Sequence, residues 1–205
     1  MRPLLRITAL LCALAFTLGA PALAHHGSTQ RENRTAAGWP VSDFTLVDHL
    51  GKEFTQDRLQ GRWTFVLVGD TRCGDPCTTA LSALDGLVKR ITGTAAVKTM
   101  QVLFISLDPE RDTAPRLRQY VAAYGERFIG ASGARPMLKQ LADEMGVAGA
   151  VTAAPGLQVA SAATQTKYTG SLVLIGPDGV IRVEYLPPFD VKRLTAEFLK
   201  ARARG

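Results

Sequence analysis

Cys73 and Cys77 are the residues of this 205-residue chain best suited to chemistry. They close the stretch Phe65-Val66-Leu67-Val68-Gly69-Asp70-Thr71-Arg72-Cys73-Gly74-Asp75-Pro76-Cys77. A paired thiol can form a disulfide, exchange it with another protein, or hold a soft metal ion as two thiolates. A bridge across so short a gap removes little chain entropy, so a purely stabilising role explains it poorly. Buried, inert thiols are the plain alternative.

The flanking residues say what must position the pair. Residues 66–68 read as a short buried strand. Pro76 fits the first turn of a helix, where its missing N–H is not needed. Cys73 then lies in the loop before the helix, and Cys77 in its first turn. Unpaired N–H groups at a helix start favour the thiolate. Arg72 acts in the same sense, and Asp70 and Asp75 oppose it.

Residues 1–24 read as a secretory signal peptide. Arg2 and Arg6 give the positive start, residues 7–20 the apolar run, and Ala22-Leu23-Ala24 the small-x-small cleavage site. An uncleaved membrane anchor is the rival, since residues 7–24 carry no charge. The third cysteine, Cys12, lies in this run, so an exported mature chain keeps only Cys73 and Cys77. One pair in an oxidising compartment, here the periplasm, suits redox or metal work. Loss of Arg2 and Arg6 takes the net charge from +6 to +4. The remaining basic residues are scattered, which speaks against a nucleic-acid site.

Residues 25–37 are polar and unpatterned, a flexible linker. Residues 38–203 are then one domain with room for a sizeable core. A small hairpin is expected over residues 44–54, and core strands over 63–68 and 102–107. Helical spacing marks Leu81, Leu84, Val88 and Ile91. It recurs at Leu117, Tyr120, Val121 and Tyr124, and again at Leu138, Leu141 and Met145, with Gly146 closing that helix. Residues 147–170 show no period and read as a long loop. Strands over 171–175 and 180–185 flank the turn Gly176-Pro177-Asp178-Gly179. Asp190 then caps a last helix. The order predicts an α/β thioredoxin-like fold with an N-terminal β-hairpin extension and an inserted helix. The cysteines fall at the C-terminal end of a core strand, where open α/β sheets bind ligands.

Three stretches resemble the Sco/SenC family. They are the cysteine segment from Gly69 to Cys77, Phe104-Ile105-Ser106-Leu107-Asp108-Pro109-Glu110-Arg111-Asp112-Thr113, and Leu174-Ile175-Gly176-Pro177-Asp178-Gly179. Their order and spacing agree across residues 40–200. The resemblance implies an exported or membrane-anchored thioredoxin-like protein that serves assembly of the copper site of cytochrome c oxidase. It does so as copper chaperone, as thiol reductant, or as both. Cys73 and Cys77 would be the two thiolate ligands, which suits Cu(I), and also the redox-active pair. The partner implied is the copper-site subunit of cytochrome c oxidase or another exported client.

The chain departs from the pattern in one respect that matters. The family's third ligand is a His eight residues before the Gly-Pro-Asp-Gly turn, and here that position is Tyr168. No His follows His49. Gly74 and Thr78 also replace prolines, and Pro76 replaces an aliphatic residue. A mature N-terminus at His25-His26 could form a separate Cu(II) site. His49 reads as a surface turn residue, and Tyr168 as a packing or hydrogen-bonding one. Four readings therefore stay open: Cu(I) metallochaperone, general thiol–disulfide oxidoreductase, thiol peroxidase (drawn from Thr71 and Arg72 beside Cys73), and a non-catalytic sensor whose disulfide state changes a partner contact.

Overall fold

The computed structural model describes residues 38–146 and 170–204. Two strands, β3 (Trp63–Gly69) and β4 (Met100–Ser106), pair in parallel at its centre. All seven residues of each are buried. Such largely apolar, fully buried strands arise where both faces of a sheet are covered, and the polar Thr64 and Gln101 are buried with a bond between them at 3.0 Å. Phe65, Leu67 and Phe104 face one apolar cluster, and Val66, Val68, Leu103 and Ile105 face the other. This is the alternation that extended backbone imposes.

The full sheet runs β2-β1-β5-β4-β3-β6-β7. β1 (Thr45–Asp48) and β2 (Glu53–Thr55) form an antiparallel hairpin at one edge, and β1 also pairs antiparallel with β5 (Phe128–Ser132). β6 (Leu172–Ile175) and β7 (Ile181–Tyr185) form the hairpin at the other edge. In its turn Gly179 N–H donates to the Gly176 carbonyl at 3.0 Å. Gly179 takes a φ of 77°, which suits a residue without a side chain.

Helices cover both faces. α1 (Asp75–Ile91), α3 (Ala114–Ala122) and α5 (Val191–Arg204) bury Leu84, Leu117 and Phe198 in the first cluster. α4 (Arg135–Glu144) and the β1–β2 hairpin close the second with Leu138, Leu141, Leu46 and Phe54. Each such buried side chain contributes about 1.5–3 kcal/mol. α2 (Ala95–Lys98) is a single turn before β4. Asp190 caps α5, accepting from the Lys192 and Arg193 N–H groups at 2.7 and 3.1 Å. Those two bonds hold its carboxyl below the usual range.

The result is the expected thioredoxin-like α/β fold, with the hairpin added before β3 and α4 inserted before the last two strands. β5 was not expected. Gly130 breaks its apolar run, and the packing explains that glycine. A Cβ there would lie 3.0 Å from Leu117 Cβ of α3. The strand thus gives up a side chain so that the helix can approach. Among the described residues no helix is long and apolar enough to cross a membrane. The expected leader and linker and residues 147–169 of the expected long loop, with Cys12, His25, His26 and Tyr168, lie outside the described residues.

Candidate dithiol and copper site

The register of the two central strands builds the site. Gly69 pairs with Ser106, and the Leu107 N–H donates to the Gly69 carbonyl at 2.8 Å. The β3–α1 turn and the β4–α3 loop therefore leave the sheet side by side. In the turn, Asp70 Oδ1 accepts from the Arg72 N–H at 2.7 Å, and the Asp70 carbonyl accepts from the Cys73 N–H at 3.0 Å. Gly74 follows at φ 69° and caps α1, with Pro76 in its first turn. Cys73 lies before the helix and Cys77 inside its first turn, as the sequence predicts.

The two sulfurs are joined as a Cys73–Cys77 disulfide, with Cα atoms 5.7 Å apart. Their surroundings differ. Cys77 is 0% exposed and belongs to the apolar cluster under α1. A Cβ on Gly69 would stand 2.6 Å from its Sγ and 3.2 Å from the Phe104 ring. Gly69 is thus the floor on which this sulfur rests, and no larger residue leaves that space. Cys73 is half-buried at the edge of the same cluster.

Two neighbouring groups were not singled out in the sequence. Asp112 is buried, and it accepts from the Thr71 N–H at 2.8 Å, the Thr71 hydroxyl at 2.6 Å and the Ser106 hydroxyl at 2.6 Å. It lies inside the second signature stretch, which was the one signal that could have found it. Gly170 is the other. It has φ 67°, and a Cβ there would be 2.7 Å from the Pro76 carbonyl oxygen. The chain entering β6 therefore passes directly against the first turn of the cysteine helix.

A cleft of about 510 Å³ begins at Thr71 and is lined by Arg116, Tyr120 and Tyr124. Burial raises the Tyr120 phenol to about 12, with help from Tyr124, Asp70 and Asp112. Burial also raises Tyr124, partly offset by a hydrogen bond with Thr78 of α1. Both phenols are held neutral beside the cysteine helix. A second cleft, about 600 Å³, lies by His49, Leu50 and Arg118 and includes no residue of the cysteine turn.

His49 is no mere surface turn residue. It is half-buried, and its Nδ1 accepts from the Gly130 N–H at 3.1 Å while its own N–H donates to the Gly130 carbonyl at 2.7 Å. It ties the hairpin to β5. Among the described residues no group of three or more His, Cys, Asp or Glu is placed to hold a metal ion. The donors at hand are the two sulfurs, which when reduced fit the low coordination and soft character of Cu(I).

The family model described as SCO1/SenC matches residues 32–202. The chain belongs to the SCO1/SenC family. A Stutzerimonas stutzeri protein, provisionally named as copper-binding, is 30% identical over 203 residues, 93% of this chain and 91% of that protein. The human mitochondrial protein SCO1 homolog is 30% identical over 152 residues, 73% of this chain and 49% of its own length. The fold matches yeast Sco1 with a TM-score of 0.69 at 21% identity, over 81% of this chain and 99% of that one. It matches copper-bound Arabidopsis thaliana ScoI with a TM-score of 0.64 at 24% identity, over 80% and 98%. Copper is named for the Stutzerimonas stutzeri and Arabidopsis thaliana proteins, and the Sco family is described as one of cytochrome c oxidase assembly proteins; this chain carries the thioredoxin-like fold of these structures.

Proposed function

We propose that the reduced Cys73–Cys77 pair is the working group of an exported, periplasmic protein that serves assembly of the cytochrome c oxidase copper site. It carries Cu(I) on the two thiolates, reduces client cysteines, or does both. The observation that supports this is the asymmetry of the pair: Cys73 is half-buried at the edge of the apolar cluster, while Cys77 is sealed over Gly69. Cys73 is then the sulfur that meets a client, and Cys77 the one that completes the exchange.

The reductant step balances as two thiol transfers. The Cys73 thiolate attacks a client disulfide and expels one client thiolate. The Cys77 thiolate then attacks Cys73 of the mixed disulfide and expels the second. The client gains two electrons, and this protein is left as the disulfide.

A general thiol–disulfide oxidoreductase without copper is the second reading. It is favoured by the donor set, since His49 is engaged by Gly130 and two thiolates are a sparse metal site. A peroxidase is less favoured. The Thr71 hydroxyl donates to Asp112 at 2.6 Å and Arg72 pairs with Asp108 at 3.5 Å, so both groups are already committed to carboxylates.

Anaerobic titration of the reduced protein with Cu(I) against a competing chelator separates the readings. One tightly held Cu(I) per chain, lost in Cys73→Ser, is expected of the chaperone. Absence of binding together with rapid reduction of a client-derived disulfide peptide would leave the oxidoreductase alone.

A further inference from the structure

A carboxylate is closed in beneath the cysteine turn. Asp112 is 2% exposed and ends the loop Asp108-Pro109-Glu110-Arg111-Asp112 between β4 and α3. One of its oxygens takes the Thr71 N–H and the Ser106 hydroxyl, the other the Thr71 hydroxyl. Arg116 Nε stands 3.6 Å from it and donates to the same Thr71 hydroxyl. A buried carboxylate is costly unless satisfied in this way, and charged acceptors make the stronger hydrogen bonds.

Two of those bonds go to a residue 41 positions away, and that residue is two before Cys73. From Thr71 the turn continues through bonds of its own, with Arg72 and Cys73 both donating to Asp70. The backbone from Gly69 to Cys73 is therefore pinned from below by Asp112. Cys77 is pinned separately, on α1, by its packing on Gly69 and Phe104. The distance between the two sulfur-bearing residues depends on these two anchors together.

We infer that Asp112 is the positioning residue of the dithiol: through Thr71 it fixes the strand of backbone that carries Cys73 relative to Cys77. This rests on the dithiol reading above. What Asp112 sets is the effective concentration of one thiol for the other, which governs how readily the ring closes. The measurable reaction is exchange with glutathione. The protein disulfide and two glutathione thiols give the protein dithiol and one glutathione disulfide. One S–S bond breaks, one forms, and the two thiol protons pass to Cys73 and Cys77.

The test measures this equilibrium constant and the melting temperature for the full chain and three variants. Asp112→Asn and Thr71→Val are expected to shift the equilibrium about tenfold toward the dithiol, since a slacker turn lowers effective concentration. Ser106→Ala loses a bond to the same carboxylate from the β4 side, and is expected to shift it less than twofold. The inference is overturned if Asp112→Asn and Thr71→Val stay within twofold of the parent. It is also overturned if Ser106→Ala shifts the equilibrium as far as they do for the same loss of melting temperature, since that reports general loosening. Should Asp112→Asn fail to fold, Thr71→Val carries the same two outcomes alone. A parent protein whose cysteines do not equilibrate with glutathione overturns the dithiol reading itself, and the inference with it.

Discussion

Asp48 and Asp112 are two buried carboxylates, 1% and 2% exposed, that spend their hydrogen bonds in opposite ways. Asp48 works locally. Its Oδ1 accepts from the Leu50 and Lys52 N–H groups at 2.9 and 3.0 Å, and its Oδ2 from Arg58 at 2.6 Å. Every partner lies within ten residues, so it shapes one hairpin turn. Asp112 reaches 41 residues back and joins two loops that leave the sheet side by side. One carboxylate builds an element. The other holds two elements at a fixed distance, and one of them carries a cysteine. Burial alone identifies neither role; the sequence separation of the partners does.

The sharpest break between the regions is at the sulfurs. Cys73→Ser is expected to abolish exchange with glutathione, and Cu(I) binding with it, while the hairpin turn around Asp48 stays intact. Activity retained in that variant would move the chemistry elsewhere in the chain. Next comes a pair of glycines, one in each region. Gly170 at φ 67° and Gly51 at φ 75° both strain a side chain, but a Cβ at Gly51 meets nothing within 4 Å, whereas at Gly170 it meets the Pro76 carbonyl. Gly51→Ala is expected to cost about 1 kcal/mol in urea unfolding, the backbone penalty alone. Gly170→Ala should cost about 1–3 kcal/mol more and also disturb glutathione exchange, because Pro76 must yield. Equal costs would mean that the chain entering β6 does not bear on the cysteine helix.

Asp48→Asn sharpens the contrast from the other side. It weakens three bonds to a buried acceptor and is expected to cost about 1–3 kcal/mol of stability, yet leave the glutathione equilibrium within twofold. A matching shift in that equilibrium would erase the distinction between the two carboxylates. The smallest effects are in pH. Burial opposes the charge on Asp48, but its bonds from Arg58, Lys52 and Leu50 outweigh that and hold its pKa below 3.8. Its contribution is therefore present above the unfolded value and lost as pH falls through the lowered one. Tyr120, raised by burial to about 12, behaves in the opposite sense. Its contribution is present below about 10 and is lost as pH rises from there toward 12. Unfolding free energies measured across both ranges should fall at each end, the acid limb weakened by Arg58→Ala.

Much of this was legible in the residues. Cys73, Cys77 and Pro76 announce a strand-to-helix turn with a thiol on each side of the helix start, and the apolar runs of β3 and β4 announce a covered sheet. β5 was not legible, because Gly130 is shaped by a helix that packs on it rather than by its own neighbours. The bond from Gly130 to His49 spans 81 residues, so a histidine that looks like turn punctuation is in fact a tie between strands. Asp112 sits among the charges of Asp108, Glu110 and Arg111, and only the parallel register of Gly69 with Ser106 brings it under Thr71. Local pattern encodes elements. Contacts across strand register are what assemble the site.

The most direct test of the dithiol is copper-edge X-ray absorption on the reduced protein loaded with one equivalent of Cu(I). Two sulfur neighbours without imidazole scattering are expected if Cys73 and Cys77 alone hold the ion. Fewer than two sulfurs, or a clear imidazole signature, would contradict a site built on this cysteine pair without histidine.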